Sequence, residues 1–234
     1  MASSPSERLP LGLHVPPVAA GVEIPPEPPD VGARALSIAA RLLAGASTFF
    51  FLAFLFAYFY LRSINQYGWW KPSAELLKAQ KETHVNLGPN QGLGVAFVAC
   101  VVLSVVLSIV AGRAMKRGSR GWTTAAAISV LLGLAAIGVQ CWEYTVQGFG
   151  PTDGAYASVF CAWTAFYLMA VLGTMYWLET QVATELRARR SPAPGGGDIA
   201  DPDRLIAPGL DAAVFYWAFL GAIGVITYVT LYLL

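Results

Sequence analysis

The chain has two histidines, His14 and His84, and neither lies in an apolar run. Haem or copper held within a membrane draws mainly on imidazole from the surrounding helices. These runs offer none, so no such centre is expected in this chain. Charge is scarce too, at 12% of residues, against about 25% in an average soluble domain. The net charge of +1 gives no basic surface, so no nucleic acid partner is expected. The three cysteines, Cys100, Cys141 and Cys161, form no C-x-x-C pair and read as small apolar fillers. The runs contain no Ser/His set, no paired carboxylates and no His-x-x-x-His, which argues against an intramembrane hydrolase. Ionisable groups gather at run ends, and Ser47 and Thr48 are the only polar pair well inside the first run. A small membrane transporter usually needs more near the bilayer midplane.

What is present is apolar: 56% of residues are hydrophobic, in long runs. Five of them, approximately Ala35–Leu61, Gly94–Ala111, Trp122–Tyr144, Ala157–Leu178 and Asp211–Leu233, are long enough to cross roughly 30 Å of hydrocarbon at about 1.5 Å per residue. In lipid each run must satisfy its own backbone groups, so helices are required. Apolar and polar residues do not alternate within the runs, which argues against a barrel. The expected fold is all-α, a polytopic membrane protein of five transmembrane helices. Residues 1–34 read as a Pro-rich flexible segment and 35–234 as the membrane domain, with a flexible loop at 191–209. No basic start followed by an uninterrupted apolar core precedes Ala35, so no cleaved signal peptide is expected. Eleven of the fifteen basic residues fall on the N-terminal segment and the second and fourth loops. That asymmetry places the N-terminus inside and the C-terminus outside.

One carboxylate stands out. Glu143 lies near the end of the third run, with Gln140 and Tyr144 close by and Asp153 in the following turn. Gln140, Glu143 and Tyr144 share a helical face by i, i+3 and i+4 spacing. A carboxylate there costs on the order of 1–3 kcal/mol unless it reaches water or a partner. The sequence leaves two readings open: a snorkelling helix-terminal acid, or a structural polar cluster built from Gln140, Glu143, Tyr144 and Asp153. Neither makes Glu143 catalytic. On the last run, Ala218, Gly221 and Ala222 cluster by the same spacing and read as a helix-packing face. In the first run, Phe51, Phe54, Leu55 and Tyr58 share one face, while Phe49, Phe50, Phe56 and Phe59 point elsewhere.

These residues resemble a known family. Gln140-x-x-Glu143-Tyr144, followed by Asp153-Gly154-x-Tyr156-x-Ser158-x-Phe160, is similar to the signature of subunit III of haem–copper oxygen reductases. The first run, with Ser47-Thr48-Phe49-Phe50 and Tyr58…Arg62, resembles that family's Ser-Glu-x-x-Phe-Phe…Tyr-x-x-x-Arg helix. Asn90 and the Tyr216-Trp217…Tyr228-Val229-Thr230-x-Tyr232 stretch also have counterparts. The resemblance covers about residues 36–234 and points to a divergent five-helix member lacking the first helix pair. It departs from the family where Ser47 replaces a mid-helix carboxylate, Tyr167 a histidine, and Ala218 and Gly221 a His and an Asp. The resemblance implies an accessory subunit with no catalytic centre and no cofactor of its own. Haem and copper are then expected in partner subunits, with catalytic subunit I and bound phospholipid as companions. The expected location is the cell inner (plasma) membrane. A nitric oxide reductase-type complex is the alternative host.

Overall fold

The computed structural model describes residues 29–65, 70, 88–190 and 202–234. The readings made for residues 1–28 and 191–201, and the two histidines, lie outside the described residues. Among the described residues, five α-helices follow one another: α1 Pro29–Ile64, α2 Gln91–Lys116, α3 Trp122–Val146, α4 Ala155–Arg190 and α5 Pro202–Tyr228. A π-helical turn, Val229–Leu233, continues α5. All five are long and apolar enough to cross a membrane, so the chain is an all-helical, multi-pass membrane protein.

Two helices begin earlier than the sequence suggests. α1 starts at Pro29, inside the stretch read as flexible. α5 starts at Pro202, so residues 202–209 are helix, not loop. Proline is tolerated in a first turn, where its missing N–H would have no partner anyway. Pro208 lies deeper in α5, yet that turn is held by burial of Ile206 and Leu210, 3% and 1% exposed. Tertiary packing there outweighs local propensity.

α2 and α3 form an antiparallel hairpin. Its turn is set by Gly118, whose φ of 68° suits glycine. Gly118 N–H donates to Met115 O and Ser119 N–H to Ala114 O, the paired bonds that close a helix C-terminus through a left-handed residue. α5 packs against α1, α2 and α4, so it is the hub of the bundle, while α3 packs against α2 and α4.

Inside a membrane the helices gain little from hiding apolar surface, and close packing and polar ties hold them together. The ties converge on α5. Ser104 Oγ donates to Ser129 O at 2.6 Å and Ser129 Oγ to Ser104 O at 2.8 Å, while Trp217 Nε1 reaches Ser104 Oγ at 3.0 Å. That joins α2, α3 and α5. Ser47 Oγ lies 2.9 Å from Tyr216 Oη, joining α1 to α5. Tyr167 Oη donates to Leu220 O at 2.9 Å, joining α4 to α5.

Close packing uses only part of the Ala218, Gly221 and Ala222 face. Gly221 is buried, and a Cβ there would come within 2.7 Å of Val105 on α2. Ala218 is half-buried, and Ala222 faces outward. The small-residue contact between α3 and α4 is Gly133, which seats the Met175 side chain directly on its backbone. A leucine at 221 must displace a branched, packed valine, and overpacking of this kind costs about 1–3 kcal/mol. Gly221→Leu should therefore lower the thermal unfolding midpoint in detergent. Ala222→Leu should leave it unchanged; equal losses from both would place the packing face elsewhere.

Candidate functional site

The last turns of α3 bring Gln140 and Glu143 to one point, and both are 0% exposed. Burial of that kind rules out a snorkelling acid. A buried carboxylate is stable only when donors surround it, and three do. Asn90 N–H donates to Glu143 Oε1 at 3.0 Å, Gln140 Nε2 donates to Oε2 at 2.9 Å, and the Tyr232 hydroxyl makes a short bond to Oε2.

Each donor is fixed by its own element. Asn90 is the N-cap of α2: its Oδ1 accepts from Gly92 and Leu93 N–H at 2.9 and 3.2 Å. A capping side chain frees the residue's own N–H to point away from the helix, here at Glu143. Gln140 sits one turn before Glu143 on α3. Tyr232 arrives on the π-helical turn, where Thr230, Leu231 and Tyr232 are buried in succession. The carbonyls at this helix end lack helical partners and are met by side chains. Tyr156 Oη donates to Leu231 O at 2.6 Å, and Gln91 Nε2 to Tyr232 O at 2.5 Å. Gly94 makes room, since a Cβ there would lie 2.5 Å from the Tyr232 ring.

The four residues read from the sequence as one cluster separate into three contacts. Gln140 and Glu143 are paired. The Tyr144 hydroxyl turns instead to Thr164 Oγ1 at 2.5 Å, joining α3 to α4. Asp153 stays in the turn, where Oδ2 accepts from Gly150 N–H at 2.6 Å. Asn90 and Tyr232, the two partners from outside α3, are separated from Glu143 by 53 and 89 positions. The helix-start pattern Asn90-Gln91-Gly92 signals a cap; nothing local signals that Tyr232 reaches α3.

Chemically, the Tyr232 phenol donates its hydrogen to the Glu143 carboxylate. Among the described residues, no group of three or more His, Cys, Asp or Glu side chains is placed to hold a metal ion. Cys100, Cys141 and Cys161 are free thiols, and Cys161 meets Gln147 Nε2 at 3.8 Å.

No protein-family model matches the chain. Individual proteins do. Cytochrome c oxidase subunit 3 of Branchiostoma lanceolatum is 28% identical over 194 residues, 80% of this chain and 64% of that relative. The Branchiostoma floridae protein of the same name matches equally. A probable cytochrome c oxidase subunit 3 of Rickettsia conorii is 26% identical over 121 residues, 50% of this chain and 38% of that protein. The chain is thus similar to cytochrome c oxidase subunit 3 along four fifths of its length. It spans a little under two thirds of the length of the Branchiostoma relatives.

The cluster predicts unequal effects for two of its tyrosines. Removing the Tyr232 hydroxyl leaves a buried carboxylate short of a donor, a loss of about 1–3 kcal/mol. Removing the Tyr144 hydroxyl breaks a neutral hydroxyl pair, worth about 0.5–1.5 kcal/mol. Tyr232→Phe should thus lower the unfolding midpoint in detergent more than Tyr144→Phe; the reverse order would mean that Glu143 does not depend on Tyr232.

Proposed function

We propose that the chain is an accessory, non-catalytic subunit of a respiratory haem–copper terminal oxidase. In this reading haem and copper belong to partner chains, and this one lies beside catalytic subunit I in the inner (plasma) membrane, N-terminus inside. The observation that carries the reading is similarity to cytochrome c oxidase subunit 3 along four fifths of the chain. The arrangement of side chains supports it. Several polar groups inside the spans join helices to one another, as in the Ser104–Ser129–Trp217 and Glu143 contacts. That is the economy of a scaffold.

Assembly, lipid holding and support of proton uptake are the roles we assign. A cleft of about 400 Å³ between α1 and α5, with Ser37, Arg41 and Asp211 beside Ala40, Ala212 and Phe215, has the cation and apolar wall that a phospholipid needs. Proton uptake is supported through the fit against the catalytic subunit, because Ser47 carries no titratable group and its hydroxyl is engaged by Tyr216.

Mild-detergent purification from the native membrane should bring down a haem-bearing large subunit, visible by its absorption spectrum. Recovery of this chain alone and colourless would overturn the proposal. In the purified complex, Glu143→Leu should weaken subunit retention more than it lowers turnover per assembled complex. Normal retention with abolished proton pumping would contradict the scaffold role.

A further inference from the structure

The aromatic rings around Glu143 are not scattered. Trp70 is 9% exposed and meets Tyr156 at 5.6 Å between ring centroids. Tyr156 meets Phe160 at 6.0 Å, and Phe160 meets Tyr232 at 5.6 Å. The row thus runs in unbroken ring contact from the Trp70 indole to the Tyr232 phenol. Electron tunnelling falls off steeply with distance, so rings in contact pass an electron far more readily than aliphatic packing does.

Proton chemistry makes the row directional. An oxidised tyrosine becomes stable only when its phenolic proton leaves to a base within hydrogen-bond reach. Tyr232 has one, the Glu143 carboxylate. Tyr156 donates to the Leu231 carbonyl, an amide oxygen and a far weaker base. The Trp70 Nε1 has no hydrogen-bond partner among the described residues. Tyr58, the other ring against Trp70 at 5.1 Å, lies under the Arg62 guanidinium at 5.9 Å. That cation disfavours a second positive charge on Tyr58 and leaves the Tyr156 side as the open route.

We propose that Trp70, Tyr156 and Tyr232 form a one-electron oxidation relay ending on a neutral tyrosyl radical at Tyr232, with Glu143 as proton acceptor. A high-potential one-electron oxidant takes an electron from the Trp70 indole and is itself reduced. An electron from Tyr232, passed by way of Tyr156 across Phe160, refills the indole. As it leaves, the Tyr232 O–H bond breaks and the proton forms a new O–H bond on Glu143 Oε2. A one-electron reductant restores the phenol, and the proton returns from the carboxyl. The row then acts as a sink for stray oxidising equivalents, a use separate from the scaffold role and independent of which complex hosts the chain.

The test is flash oxidation of the full chain in lipid nanodiscs, with a ruthenium tris-bipyridine photosensitiser and a sacrificial electron acceptor, read by electron paramagnetic resonance. A tyrosyl signal should form in the native protein and be lost in Tyr232→Phe. In Glu143→Gln it should be lost or give way to a tryptophan radical, and in Trp70→Phe it should form more slowly. Incorporation of 3-fluorotyrosine at 232 into the otherwise native chain should add fluorine splitting to the signal, which needs no destabilised variant. An unsplit signal from the fluorinated protein, or an unchanged one from Tyr232→Phe, overturns the relay.

Discussion

A single buried carboxylate organises one end of this bundle. Glu143 is 0% exposed and receives a backbone N–H from the start of α2, an amide from α3 and a phenol from the turn that ends α5. Leaving such a group unpaired costs several kcal/mol in a medium that cannot hydrogen-bond. The carboxylate therefore demands its donors, and meeting that demand fixes how three helices approach. The Asn90 cap, the Gly94 clearance under Tyr232, and the Tyr156 and Gln91 contacts to the π-helical carbonyls all serve the same convergence.

The spans were the most legible feature of the sequence, because five long apolar runs admit few other structures. Glu143 was legible as an anomaly, since a carboxylate near the end of an oily helix needs an explanation. Its partners were not. Helical spacing names neighbours on the same helix, so it found Gln140 and also offered Tyr144, which in fact turns to Thr164 on α4. Asn90 and Tyr232 come from other helices, and no local pattern reports them. The helix starts at Pro29 and Pro202 were hidden for a related reason. Proline-rich stretches read as loops, while the buried Ile206 and Leu210 that hold the α5 start are visible only in the packing.

The helix-packing face shows the same limit from the other side. Ala218, Gly221 and Ala222 lie close together on a helical projection, but of the three Gly221 is the one packed closely against α2, at the Val105 side chain. The decisive close contacts also involve Gly133 and Gly94, whose neighbours Met175 and Tyr232 lie far along the chain. A small residue signals permission to approach; which helix takes it up depends on the rest of the bundle.

The contrast between Ser47 and Glu143 ties these strands together. In the middle of the bundle, where water is farthest, the ties are neutral: Ser47 with Tyr216, Ser104 with Ser129 and Trp217, Tyr167 with a backbone carbonyl. Each is satisfied in place and needs no ionisable group. Among the described residues, the one carboxylate with no exposure lies where a helix start, a helix end and a π-helical turn meet. Helix ends there supply what mid-helix backbone cannot, free N–H donors and unpaired carbonyls. An acid in the middle of α1 would find only N–H groups already bonded along the helix, whereas at position 143 the Asn90 N–H is available because a cap has turned it outward. Charge is thus retained at the place where the backbone can answer it, and the midplane is left to hydroxyls and indole.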